Sequence, residues 1–286
     1  MDPKVVRRLI YGSAMIVLLS LVLWVDIKLS ERGRFSWASG AIVSTLCILT
    51  VLELSRLLKA CGMEDPTGSC AWLPAAFILG KLWIIGAAVQ PMKPWCATWT
   101  AMALLSAVVT SLLPRNIHGG ARRAAAVFLC LGLAVLLSAL LEVLAEFGPR
   151  IAFALVFTIK AGDIGAYLTG RFLGRRRLIP HISPGKTVEG TVGGFALSAV
   201  AGLWLFSSFS EGAWSKGSIL GMAVLLNLAG MLGDLIESLL KRDAGAKDSG
   251  TVLREFGGAY DMVDSLVLAA PLGLALLRLL GATSGA

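Results

Sequence analysis

Charge is scarce in this 286-residue chain: 15% of residues are Asp, Glu, Lys or Arg against 56% hydrophobic, and the mean hydropathy is +0.78. A water-soluble globular domain of that composition would have too little polar surface to cover itself. Long polar intervals are missing as well, because apolar runs recur from Arg7 to Leu280, which predicts one integral membrane domain over residues 1–286. Histidine is nearly absent; His118 precedes two glycines, His181 follows Pro180, and with no HExxH run a zinc hydrolase is not indicated. The cysteines (Cys47, Cys61, Cys70, Cys96 and Cys130) form no CxxC pair and mostly lie in or beside apolar runs, so they read as packing residues. There is no GxxxxGKS/T loop and no GxSxG elbow, which argues against a soluble NTPase fold and a serine hydrolase.

What is present is a series of long apolar segments. A hydrocarbon core of about 30 Å takes roughly 20 helical residues to cross, and lipid leaves no partner for an open strand edge, so the spans are expected to be helices. The fold class that follows is all-α, a polytopic transmembrane helical bundle of about nine spans: 7–29, 37–60, 70–90, 95–113, 123–147, 149–170, 188–209, 216–240 and 261–281. The first run resembles a secretory leader in its flanking Lys4, Arg7 and Arg8, but it is long and lacks a small-residue cleavage pattern, so a retained span is expected. A cytoplasmic amino terminus places most basic residues, among them Arg122, Arg123, Arg175, Arg176, Arg177 and Lys241, on the cytoplasmic side, as the positive-inside rule favours. The formal charge of +8 is explained by that orientation; the bases sit in short loops, and no nucleic-acid partner is expected. The localisation expected is the inner (plasma) membrane. Segment 1–147 reads as scaffold and 149–281 as the catalytic spans, because the two longest connections, 171–187 and 241–260, carry clustered charge and glycine.

The chemistry is expected in two stretches. At about 100° per residue, Asn227, Asp234, Ser238 and Lys241 form one narrow polar stripe on the eighth span. Asn and Ser suit a helix-packing seam, but an ionised carboxylate in a span costs a few kcal/mol unless paired or coordinated, which makes Asp234 a functional candidate. Beyond it follow Arg242, Asp243, Lys247, Asp248, Ser249, Gly250, Gly257, Gly258, Asp261, Asp264 and Ser265. Alternating acids and bases on a glycine-containing loop suit a polyphosphate with its metal: carboxylates hold Mg²⁺, Lys or Arg neutralises the remaining oxygens, and glycine admits backbone amides. Asp243 is the expected bystander. The second stretch holds Lys160, Asp163, Tyr167 and Arg171 on neighbouring faces of the sixth span, with Lys160 and Asp163 readable as a local ion pair or as part of the site. Arg175, Arg176 and Arg177 suit a topology anchor, whereas Ser183, Lys186, Thr187 and Glu189 look like phosphate and metal-shell groups.

At these residues the chain resembles the phosphatidate cytidylyltransferase (CDP-diacylglycerol synthase) family. The signature reads Ser238, Lys241, Arg242, Lys247, Asp248, Ser249, Gly250, Gly257, Gly258, Asp261 and Asp264, and the stretch from Gly162 to Gly190 resembles the family's other well-marked block. The chain departs from the pattern at Arg254, Glu255 and Phe256, where the family has Pro, Gly and His, and at Met262, where it has Arg. The resemblance implies transfer of CMP from CTP to phosphatidic acid, giving CDP-diacylglycerol and pyrophosphate. It implies Asp234, Asp248, Asp261 and Asp264 as metal ligands, and Asp234, Ser238, Lys241, Arg242, Lys247 and Asp248 as catalytic. Ser183, Lys186, Thr187, Arg171, Gly257 and Gly258 would bind substrate. Mg²⁺ is the expected cofactor, CTP, phosphatidic acid and membrane lipids the expected partners, and a second metal ion and a homodimer are options left open. The alternatives are a catalytically weakened paralogue, a CTP-dependent polyprenol or phytol kinase, and an ion-coupled transporter. A CDP-alcohol phosphotransferase is not among them, because the DxxDGxxAR run is absent.

Overall fold

The computed structural model describes residues 25–28, 37–63, 69–87, 92–112, 120–209, 214–246, 248–250 and 257–284. The expected first span falls outside these except for residues 25–28, which are helical. The helices are α1 (Trp37–Ala60), α2 (Ser69–Gly86), α3 (Met92–Leu112), α4 (Gly120–Leu137), α5 (Ala139–Leu173), α6 (Val188–Phe209), α7 (Lys216–Asp243) and α8 (Ala259–Ser284). Among the described residues, five helical segments are long and apolar enough to cross a membrane, one of them the 53-residue run Ala121–Leu173.

That run is too long for one crossing, since 1.5 Å per residue makes it about 80 Å, and the sequence interrupts it twice. Ser138 forms a turn between α4 and α5. Gly148 takes φ 79 and ψ 173, a conformation open to glycine, and Pro149 follows it. Proline tolerates the first turn of a helix because its missing N–H has no partner there, so a glycine stop followed by a proline start divides α5. The expected boundary between the fifth and sixth spans coincides with this break; the turn at Ser138 was not expected.

The chain forms two compact units: Met1–Pro149 with Asp243–Val263, and Arg150–Arg242 with Asp264–Ala286. In the first, α1 packs with α2 and α4, α2 with α3 and α4, and α3 with α4. Its interior contains an ion pair. Lys81, 2% exposed, pairs with Glu142 and donates to Ser138 Oγ at 2.8 Å. A lysine buried in an apolar helix is tolerated when its charge is neutralised by a neighbour.

In the second unit, α6 carries Gly190, Gly194, Ser198 and Gly202 at intervals of four, so small residues form one stripe along the helix. Facing it, α5 presents Gly162, Gly165, Ala166 and Gly170. A Cβ on Gly165 would lie 2.7 Å from the Gly193 carbonyl oxygen, and one on Gly190 would lie 2.7 Å from that of Ala166. The two backbones are therefore in near contact, the arrangement that small-xxx-small patterns permit between membrane helices. On the opposite face of α6, Val192, Val200 and Trp204 are exposed, as expected of side chains meant for lipid.

One part of the expected fold needs correction. The connection 171–187, read as a loop, contains a short antiparallel hairpin of β1 (Arg177–Ile179) and β2 (Ser183–Thr187), with Arg177 opposite Thr187 and Ile179 opposite Ser183. The turn is made by Ile179-Pro180-His181-Ile182, closed by Ile182 N donating to Ile179 O at 3.3 Å. Proline presets the φ needed at the second position of such a turn. The all-α expectation holds for the spans themselves.

Candidate active site

Thr187 ends β2 and starts α6. Its side chain is buried, and Oγ1 accepts from Gly190 N at 3.0 Å, the bond of an N-cap to the third residue of the first turn. Glu189, one residue into the helix, accepts from Arg175 N and Arg176 N at 3.0 and 3.2 Å and so ties the strand entry to the helix start. These two residues, expected as phosphate or metal-shell groups, thus hold the hairpin against α6. Thr187→Ala is expected to cost about 1 kcal/mol, read as a lower thermal midpoint in detergent, with Thr187→Ser close to wild type.

The hairpin aims Lys186 at α7. Lys186 Nζ lies 2.9 Å from Asp234 Oδ2 and donates to the Met231 carbonyl oxygen at 3.1 Å. Asp234 Oδ1 also accepts from Ser238 Oγ at 3.4 Å, one helical turn on. Glu237 is fully buried and pairs with Lys241 Nζ at 2.7 Å. From α8, Asp264 joins them: one carboxylate oxygen each from Asp234, Glu237 and Asp264 lies within 4.8 Å of the others. On the α5 side of Asp264, Lys160 Nζ is 3.5 Å from its Oδ1 and 3.0 Å from Asp163 Oδ2. Ser265 Oγ joins this group, accepting from Lys160 at 2.7 Å and donating to Asp163 at 2.9 Å. Lys160 therefore makes the expected local ion pair with Asp163 and also reaches Asp264. Asn227, higher on the same stripe, is buried beside Gly162 and Gly194.

The result is a cluster of three carboxylates, each with a lysine alongside: Lys186 at Asp234, Lys241 at Glu237 and Lys160 at Asp264. All its donors are oxygens, which suits a hard divalent cation. Octahedral ligands of a Mg²⁺ at about 2.1 Å stand about 3.0 Å apart when cis and about 4.2 Å when trans, so the three oxygens would have to draw together to hold such an ion. Glu237 was missed in the sequence because it stands about 60° around the helix from Asp234, off the stripe that drew attention.

The other expected site residues are placed as follows. Arg242 is exposed at the end of α7, Ser183 is half-buried at the start of β2, and Arg171 is exposed, donating to Tyr167 Oη at 2.7 Å. Lys247, with Arg254, Glu255 and Phe256, lies outside the described residues. Asp248, Gly257, Gly258 and Asp261 belong to the first unit. Asp248 is exposed. Asp261 Oδ2 accepts from Gly258 N at 2.7 Å, Ser249 N at 3.0 Å and Ser249 Oγ at 2.8 Å. An acid at the third helical position reaching back to the N-cap amide is half of a capping box, so this expected metal ligand holds the start of α8. Gly257, at φ 88, could not carry a Cβ without coming 2.5 Å from that same oxygen. Asp243, the expected bystander, bonds Cys61, whose thiol is held above its ordinary range by burial first and by that carboxylate second.

A model of the cytidylyltransferase family matches residues 6–280. Phosphatidate cytidylyltransferase of Synechocystis sp. is 46% identical over 127 residues, 43% of this chain and 40% of that protein. The protein of the same name from Staphylococcus aureus (strain COL) is 44% identical over 112 residues, 38% of this chain and 42% of that one. The uncharacterized protein YnbB of Escherichia coli (strain K12) is 37% identical over 124 residues, 43% of this chain and 41% of its own length. The chain thus spans about two fifths of the length of these relatives.

Proposed function

Since the chain belongs to the cytidylyltransferase family, we propose that it is a phosphatidate cytidylyltransferase, working at the cytoplasmic face of the inner membrane with a cytoplasmic amino terminus and about nine spans. The observation that carries this reading is the meeting of Asp234, Glu237 and Asp264 within 4.8 Å, with Lys186 at 2.9 Å from Asp234. In the proposed reaction an oxygen of the phosphatidate phosphate forms a bond to the α-phosphorus of CTP. The bond from that phosphorus to the bridging oxygen breaks, and pyrophosphate leaves with the electron pair. No covalent enzyme intermediate is needed; alignment and charge stabilisation suffice.

Asp234, Glu237 and Asp264 would hold Mg²⁺, which when bound neutralises phosphate oxygens. Lys186 then has a phosphate to exchange for Asp234, and Lys241 and Lys160 counter the remaining charge of the cluster. Ser238 orients Asp234. Arg171, Arg242 and Lys247 remain proposed contacts for the nucleotide and lipid phosphates, and Asp248 remains a proposed metal ligand. The lipid acid enters from the leaflet and CTP from the aqueous side, which a site at helix ends serves.

The test uses membranes containing the chain, CTP labelled at its α-phosphate, and phosphatidic acid. Labelled CDP-diacylglycerol with release of pyrophosphate, dependent on Mg²⁺, is expected. Release of CDP with a phosphorylated alcohol would assign a kinase instead, and ion flux through proteoliposomes without CTP turnover a transporter. No turnover of any kind would overturn the enzyme reading.

A further inference from the structure

Glu53 is a carboxylate in the last part of α1, 1% exposed, in a stretch that otherwise reads as apolar scaffold. Its partners lie about two hundred residues away in sequence. Oε1 accepts from Ala259 N at 3.0 Å, and Oε2 accepts from Tyr260 N at 2.9 Å and from Ser249 Oγ at 3.0 Å. Ala259 and Tyr260 are the first two residues of α8, whose amides have no partner within the helix. A carboxylate beside a helix amino terminus also meets the positive end of the helix dipole. Glu53 therefore supplies from another helix what a local cap would supply.

The surrounding backbone is shaped to this side chain. A Cβ on Gly258 would overlap Glu53 Oε2 and Ser249 Oγ, and one on Gly250 would overlap Glu53 Oε1. Ser249 has one hydroxyl proton, and two carboxylates face it, Glu53 at 3.0 Å and Asp261 at 2.8 Å. Ser249 Oγ also accepts from Asp261 N at 3.3 Å. Ser249, Gly258 and the two acids thus form one hydrogen-bonded group. Asp248 precedes it directly, and Asp264 follows one turn into α8.

We propose that Glu53 is a positioning residue for nucleotidyl transfer: it fixes Ser249, the neighbour of Asp248 in the chain, and the first turn of the helix whose later residues include Asp264. This rests on the function proposed above. Glu53 touches no reacting atom; it acts through the backbone it holds. The residue type matters, because an amide in its place would turn an N–H₂ group toward either the Ala259 amide or the Tyr260 and Ser249 donors.

The experiment compares the full-length wild type, Glu53→Gln and Gly258→Ala in detergent, by turnover of CTP with phosphatidic acid and by amide hydrogen exchange. The expected result for both variants is a kcat at least tenfold below wild type. Exchange should be faster at residues 249, 259 and 260, with α1 to α4 protected as in wild type. Gly258→Ala keeps Glu53 but sets a Cβ against its carboxylate and against Ser249 Oγ, so faster exchange at the same three residues in both variants assigns the effect to this contact. A wild-type kcat in Glu53→Gln overturns the proposal, as does a loss accompanied by faster exchange throughout α1 to α4, the signature of a scaffold residue alone. If the wild type itself makes no CDP-diacylglycerol, the proposed function fails, while local exchange at 259 and 260 still decides whether Glu53 holds the start of α8.

Discussion

Replacing Asp234 with Asn is expected to lower Mg²⁺-dependent formation of CDP-diacylglycerol by at least about 100-fold, the scale on which removing one preorganised electrostatic group slows a reaction. Two effects combine. The substitution removes one of three carboxylates that meet within 4.8 Å, and it leaves Lys186, now 2.9 Å from that carboxylate, with a neutral neighbour. The helix should survive the change, because Asn occupies nearly the volume of Asp and Ser238 can still donate to its oxygen. Initial rates measured across a Mg²⁺ series separate the two effects: recovery at high Mg²⁺ points to weakened metal affinity, and a uniformly low rate to lost alignment. Asp264→Asn should behave alike. Wild-type turnover in either variant would remove the metal assignment.

The largest effect on folding is expected at the seam between α5 and α6. In Gly165→Val a Cβ would stand 2.7 Å from the Gly193 carbonyl oxygen and 2.8 Å from Leu197 Cβ. The first of these is backbone and cannot rotate away, so the two helices must separate. Overpacking a close contact typically costs about 1–3 kcal/mol, and separation here also loosens the small-residue stripe along α6. Gly221→Val is the matched control, because nothing lies within 4 Å of a Cβ at that position on α7. Size-exclusion profiles and thermal midpoints in detergent should show Gly165→Val aggregated or sharply destabilised and Gly221→Val unchanged. Equal behaviour of the two would contradict the close approach of α5 and α6.

Much of the architecture was legible because its causes are local. Apolar runs of sufficient length gave the helices, and Gly148 with Pro149 marked a chain break that any helix would respect. The polar stripe on α7 followed from helical angle alone, and Asp234, Ser238 and Lys241 each make polar contacts there. What stayed hidden depends on tertiary contact. Glu53 was not singled out, since its partner Ser249 is 196 positions away; the available signal was an acid inside an apolar run, the same signal that singled out Asp234. Glu237 stood off the stripe and enters through Asp264 on another helix. Thr187 and Asp261 carry residue types equally suited to phosphate or metal and to helix caps, and only the start positions of α6 and α8 reveal the capping contacts.

The most direct measurement is a Mn²⁺ titration followed by electron paramagnetic resonance, with Mn²⁺ standing in for Mg²⁺. It is made on the purified wild type, Asp234→Asn, Glu237→Gln and Asp264→Asn without substrates. Carboxylates contributed by α7 and α8 predict a bound-ion spectrum in the wild type and at least about tenfold weaker binding in each variant. Unchanged binding in all three variants would contradict a metal centre at this cluster.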